Sequence, residues 1–302
     1  MATAETHRPV DNQVVAVVGD AVLSYASAET RMITVITPPG EWGALNLSEV
    51  WRYRDLLLLL VWRDISARYR QSIVGYGWAI LKPSLSVLIF TMVFGKMMKV
   101  ESDGQPYVLF ALSALIPWTY FSAALSGVSS SVVSNSNLLT KVYFPRLILP
   151  LSCLGAGLAD LLLQLGLLFG IMAWYHIVPG WQFVALPFFV AITVMASLAF
   201  GLWLAVLNVR YRDVGHAVPF LLQAWMWLSP EVYSSTIVSA RWRWLYYANP
   251  MVGVIDGFRW CVLGTELPDL AGLGQSLALV CVMLVTGLFY FRTQESTFAD
   301  VI

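Results

Sequence analysis

VLFALSALIPWTYFSAALSGVSSSVV (108–133) carries no charged residue from end to end. It exceeds the roughly 20 predominantly apolar residues that a helix needs to cross a bilayer. Working outward, windows of similar length occur near 78–98, 147–174, 183–207, 217–236 and 272–291, which makes six spans with this one. The fifth is interrupted by Pro230 and Glu231. Composition agrees: 58% of the 302 residues are hydrophobic and 12% charged, against about 25% charged in an ordinary soluble domain. The expected fold is all-α and membrane-integral.

Lys and Arg in short flanks set orientation. Arg52, Arg54, Arg63, Arg68 and Arg70 precede the first span, Lys141 and Arg146 separate the second from the third, and Arg210 and Arg212 separate the fourth from the fifth. Opposite them lie Lys96 and Lys99, offset by Glu101 and Asp103, then the uncharged loop from Tyr175 to Trp181 and the mixed-charge segment from Arg241 to Asp269. The basic side is expected to be cytoplasmic, with both termini on it.

VWRYRDLLLLLVWRDISARYR (50–70) is too charged to cross but joins a leucine run to Trp51, Trp62 and five arginines. Such a helix is expected in the interface plane, its arginines reaching to headgroups. The simpler alternative is a flank of the first span. Residues 1–46 hold no apolar run long enough for a signal sequence and read as a mostly mobile cytoplasmic extension. A formal net charge of zero gives no reason to expect a nucleic-acid partner. Cys153, Cys261 and Cys281 are widely spaced in apolar surroundings, suggesting neither a metal site nor a disulfide.

Five segments carry a family resemblance: WRYRDLLLLLVWRDISARYRQSIVGYGWAILKP (51–83), LIPWTYFSAAL (115–125), NLLTKVYFPRLILPLS (137–152), LNVRYRDV (207–214) and RWRWLYYANPMVGVIDGFRW (241–260). In this order and spacing the chain resembles polysaccharide-exporting type-2 ABC permeases, over about residues 47–292. That resemblance implies a transmembrane domain at 47–292, with a short cytoplasmic tail at 293–302. It also implies a homodimer of this chain joined to two nucleotide-binding subunits, moving a lipid-linked polysaccharide such as O-antigen across the bacterial inner membrane. ATP and Mg would be held by the partner, and no cofactor by this chain. Consistently, the sequence has no G-x-x-x-x-G-K-[ST] phosphate loop.

Asn135–Arg146 is expected to form a short helix that transmits ATPase motion, capped by Asn135 or Asn137 and ended by Pro145, with Leu138, Leu139, Val142 and Tyr143 as its apolar face. In the family this position is the coupling helix, so Asn137, Leu138, Leu139, Lys141, Val142, Tyr143, Phe144, Pro145 and Arg146 are its candidates. Arg210 and Arg212 form a second contact or simply reflect topology. Sugars stack on aromatic rings, which nominates Trp118, Tyr120, Phe121, Trp225, Trp227 and Tyr233 for the translocation path; interfacial enrichment of Trp and Tyr is the competing explanation. Between spans five and six, Ser234–Leu270 is long enough for two re-entrant helices broken at Asn249 and Pro250. The resemblance implies an outer gate there, with Glu231, Asp256 and Arg259 as its charges. Glu231 is expected to reach water or pair with an arginine, because a carboxylate at membrane depth is expensive. Another exported cargo (teichoic acid, drug or lipid) is the first alternative. A membrane-embedded lipid-sugar transferase is remote, since no paired acid or His-carboxylate motif is present.

Overall fold

The computed structural model of the chain describes residues 47–70, 75, 77–139 and 141–298, and among these the only regular elements are helices. The N-terminal extension at 1–46 lies outside the described residues.

Two short helices open the described chain, α1 (Leu47–Arg52) and α2 (Arg54–Tyr69). The single helix expected over 50–70 is therefore broken, at Tyr53, whose φ of −96° and ψ of 20° leave the helical region. Next come α3 (Gly77–Phe90), continued as a π-helical turn at Thr91–Met97, then α4 (Tyr107–Ser134), α5 (Ser136–Leu139) and α6 (Ile148–Trp174). A 3₁₀ turn at Trp181–Ala185 leads into α7 (Leu186–Arg210). The remaining helices are α8 (Asp213–Trp227), α9 (Ala240–Tyr246), α10 (Pro250–Leu263) and α11 (Leu270–Gln294).

Among the described residues, five helices are long and apolar enough to span a membrane: 77–97, 107–134, 148–174, 181–210 and 270–294. The fifth window, 217–236, is not filled by one helix. Helix α8 has 15 residues, about 22 Å at 1.5 Å per residue, short of the roughly 30 Å apolar layer. The cause is local. Pro230 has no N–H to donate and disfavours helical backbone at Ser229, so the chain turns irregular after Leu228.

Helix α4 is the hub, with 78% of its apolar window buried against 11% for the α3 span. It packs most extensively on α7 and α6. Lipid tails give helices no hydrophobic reason to associate, so close packing of small residues must hold them together. Helix α7 supplies these at four-residue spacing: Thr193, Ser197, Gly201 and Ala205 are all buried. At Gly201 a Cβ would run into Val128 of α4, so glycine is what permits the approach. Asn208 then donates from Nδ2 to the Ser129 carbonyl at 3.0 Å, tying the same two helices.

Helix α2 packs against α6, burying Leu60, while Trp62, Leu58 and Leu59 are exposed. Not all of its arginines are free to seek headgroups. Arg63 pairs with Asp64 at 2.8 Å and donates to Asn135 Oδ1 at 3.0 Å, and Arg68 pairs with Asp160 of α6 at 2.6 Å. Arg52, Arg54 and Arg70 are exposed, as is Trp51, over which the Arg54 guanidinium lies at 5.6 Å.

Candidate coupling loop and gate

The connection between α4 and α6 is mostly loop rather than the helix expected over 135–146. Among the described residues of this stretch, Ser136–Leu139 alone is helical. Asn135 does not cap it with its side chain; Nδ2 instead turns back to the Ser131 carbonyl at 2.8 Å. Pro145 disfavours helix at Phe144, and one turn of helix has too few bonds to propagate by itself. The loop nevertheless sorts its side chains. Lys141, Val142 and Tyr143 are exposed, the last two by 53% and 61%. Phe144 and Pro145 are buried, with Phe144 in a cluster that includes Leu147, Leu60, Val132, Phe291 and Phe298. Leu138 and Leu139 pack against the same cluster, so they do not share a face with Val142 and Tyr143; Asn137 is exposed.

The chain's C-terminal end braces this loop. The Arg146 backbone N–H donates to Glu295 Oε1 at 3.0 Å, Glu295 Oε2 accepts from Arg292 at 2.9 Å, and Phe298 packs edge-on to Phe291 at 5.2 Å. The sequence reading missed these groups, although Phe291 near the end of a span and Phe298 just beyond it are their visible signal. Arg210, at the end of α7, and Arg212, just after it, are exposed, and neither forms an ion pair with a described residue.

The aromatic candidates divide. Trp118, Tyr120 and Phe121 are at most 4% exposed and lie in the core of this chain, where the Tyr120 hydroxyl donates to the Leu154 carbonyl at 3.2 Å. Trp225 packs edge-on against Phe121 and Phe200, each at 5.1 Å. Trp227 is 53% exposed, and Tyr233 accepts from the Tyr246 hydroxyl at 3.2 Å. Only Trp227 of the six is well exposed.

The gate candidates do come together. Asn249 caps α10 by accepting from the Met251 N–H at 3.0 Å, with Pro250 at the first helical position where its missing N–H costs nothing. The same Oδ1 accepts from Trp225 Nε1 at 2.8 Å, and Nδ2 donates to Ser229 Oγ at 2.9 Å, so Asn249 stitches α10 to the end of α8. Gly257 faces Phe189 of α7 so closely that any Cβ would collide. Gly264 ends α10 at φ 66°, a left-handed conformation suited to glycine.

Arg259 is the centre of the cluster at 2% exposure. It donates to the Tyr233 and Glu231 carbonyls, each at 3.2 Å, and more loosely to the Phe110 carbonyl at 3.5 Å, while its guanidinium lies 3.6 Å from the centre of the Phe110 ring. Asp256, one turn earlier, accepts from the Tyr247 hydroxyl at 3.3 Å. Asp256 and Arg259 open onto a cavity also lined by Asp103 and Arg243. The second span thus supplies groups the sequence reading missed: Phe110, and Tyr107, whose hydroxyl donates to the Val232 carbonyl at 2.8 Å.

The ABC-2 type transporter family matches residues 55–263. The O-antigen export system permease protein RfbA of Myxococcus xanthus is 34% identical over 256 residues, covering 84% of this chain and 98% of the relative. The chain belongs to the ABC-2 type transporter family. A second O-antigen export system permease protein RfbA, from Klebsiella pneumoniae, is 23% identical over 82% of this chain and 95% of its own length. The polysialic acid transport protein KpsM of Escherichia coli is 25% identical over 77% of this chain and 91% of its own length. An ABC-2 permease is a multi-pass membrane subunit rather than an enzyme, and its ATPase is a separate chain.

In this permease Glu231 departs from expectation. It neither reaches water nor pairs with Arg259: it is 2% exposed and both carboxylate oxygens lack a hydrogen-bond partner among the described residues. Arg259 bonds only to its backbone carbonyl. An unpaired buried carboxylate is destabilising, so Glu231→Met is expected to stabilise the permease by roughly 1–3 kcal/mol. Thermal melting of the purified protein checks this. A loss of stability instead would mean that the carboxylate holds a partner.

Proposed function

We propose that this permease is the transmembrane subunit of an ATP-driven exporter that moves lipid-linked polysaccharide across the bacterial inner membrane. The observation that carries this reading is the 34% identity running along 98% of a permease named for O-antigen export. Two copies of the chain would form the channel with two nucleotide-binding subunits. The positive-inside asymmetry favours Lys141, Arg146, Arg210 and Arg212 on the cytoplasmic side. Both termini would then lie in the cytoplasm, with α8 and the segment after it making the sixth crossing together. Helices α9 and α10 would enter the outer leaflet as a re-entrant pair, allowed because Arg259 and Asn249 donate to the carbonyls of Tyr233 and Leu228 in the irregular backbone. Trp227 is the aromatic best placed to meet a sugar chain, because its ring is exposed and not packed into the core.

Energy transfer would pass through Lys141, Val142 and Tyr143, which the fold presents on a buried base of Phe144 and Pro145. The test is co-purification of the chain with the ATPase encoded beside it, then ATP hydrolysis with and without lipid-linked glycans. A stable two-plus-two complex stimulated by a glycan is the expected result. A complex indifferent to every glycan but stimulated by another amphiphile would replace the cargo, and a chain that purifies alone and modifies the glycan would replace the reading altogether.

A further inference from the structure

A cavity of about 720 Å³ lies where the end of α2 and the start of α3 meet α4 and α6. Among the side chains that line it, Lys82, Arg68 and Gln164 have donor capacity left over. Lys82, the sixth residue of α3, is exposed and forms no hydrogen bond or ion pair with any described residue. Arg68 spends one nitrogen on Asp160, at 2.6 Å. Gln164 is 7% exposed; its Oε1 accepts from the Thr119 hydroxyl at 2.7 Å, while its Nε2 donates to no described residue.

These groups define the ligand by chemistry. Lys82 and Arg68 outnumber the one carboxylate, Asp160, leaving an excess positive charge. Donors without acceptors call for an anion rich in acceptor oxygens, which is what a phosphate offers. A lysine within a membrane span ordinarily marks a functional contact, since an ammonium there is costly without one. Elsewhere the wall is mostly apolar, the hydroxyls of Thr119 and Tyr120 being engaged with Gln164 and the Leu154 carbonyl; Ala79, Ala123 and Gly157 leave the room, and Trp78 stands near the start of the span, where amphipathic rings favour the headgroup level. An amphiphile satisfies both halves of the wall; a free nucleotide or sugar satisfies only one.

We propose that this cavity binds the phosphate headgroup of a lipid, with Lys82, Arg68 and Gln164 as its donors. Phosphate recognition stands on the cavity alone; that the lipid is the carrier of an exported glycan rests on the function proposed above. The chemistry is shared by a polyprenyl diphosphate and an anionic phospholipid, and the experiment separates them.

The chain with its ATPase subunit, in phosphatidylcholine nanodiscs, is titrated with a labelled polyprenyl diphosphate, using phosphatidylglycerol and inorganic pyrophosphate as competitors. Lys82→Met keeps the stem and breaks no described pairing, so the protein should melt as wild type does. It is expected to bind about tenfold more weakly, the size of one charge-assisted hydrogen bond, while Lys82→Arg stays within about threefold. Ala123→Phe, which fills the cavity, should abolish binding. Competition by phosphatidylglycerol at equal strength would assign the site to bulk lipid, and indifference to it would assign the site to the diphosphate carrier. Unchanged binding in both Lys82→Met and Ala123→Phe, or equal binding of pyrophosphate without a tail, would overturn the proposal. Because no transport is measured, failure of glycan export would sink the exporter reading while leaving this titration intact.

Discussion

Arg259→Met is expected to lower the folding stability of the permease by about 3–5 kcal/mol, more than any other single change described above. The guanidinium supplies donors to the carbonyls of Glu231 and Tyr233, in a stretch that is neither helix nor strand. Those carbonyls have no ladder of their own to fall back on, and an unsatisfied buried acceptor costs about 1–3 kcal/mol. The ring of Phe110, 3.6 Å away, also loses its cation, a contact worth about 2 kcal/mol when desolvated. Lysine cannot replace the planar fork, so Arg259→Lys should recover only part of the loss. The same substitution should loosen the segment after α8, which α10 holds in part through Arg259. Thermal melting with maleimide labelling of Ser234→Cys, buried at 3% exposure, reads both effects. A variant that melts with the wild type and labels no faster would show that the backbone here is held by other means.

How far the sequence carried the fold depended on the length of the signal. The long apolar runs placed five spans to within a few residues, because a bilayer leaves a chain few alternatives to a continuous helix. Where the apolar run was broken, the reading failed: a hydropathy window passes over Pro230, but the backbone does not. The small-residue stripe Thr193, Ser197, Gly201 and Ala205 was not read from the sequence; the structure shows it buried, with Gly201 against Val128 of α4. Aromatic residues misled for the complementary reason. Trp118, Tyr120 and Phe121 are suited equally to a sugar path and to a packed core, and a sequence does not say which face meets a neighbour. For the gate candidates, the resemblance pointed to Asn249, Asp256 and Arg259, but Arg259 bonds to backbone carbonyls, which leave no mark in a sequence. The segment 135–146 was misjudged in shape, because the Asn135 side chain satisfies Ser131 behind it rather than the turn ahead of it.

Replacing Lys141, Val142 and Tyr143 together by Glu, Ser and Ser is expected to reduce export at least about tenfold while leaving the permease folded. The three side chains are exposed, so removing them opens no cavity and strands no buried polar group. Their energy becomes visible only against a partner. Truncating a central interface residue costs about 1–4 kcal/mol, so a triple change that also reverses a charge is enough to separate a subunit bound at ordinary affinity. Phe144→Ala provides the contrast. That ring is 4% exposed at the base of the loop, and its loss should cost about 3–5 kcal/mol of stability. Its export defect would track the amount of folded protein, whereas the triple variant's would not. The exposed pair Arg210 and Arg212 should weaken coupling less, because isolated surface charges contribute only about 0–1 kcal/mol. The measurement is polymer export and ATPase co-purification side by side, normalised to folded permease. Full export and full co-purification in the triple variant would remove this loop from the path of energy transfer, and would move attention to Arg210 and Arg212 as the next candidate contact on the basic side.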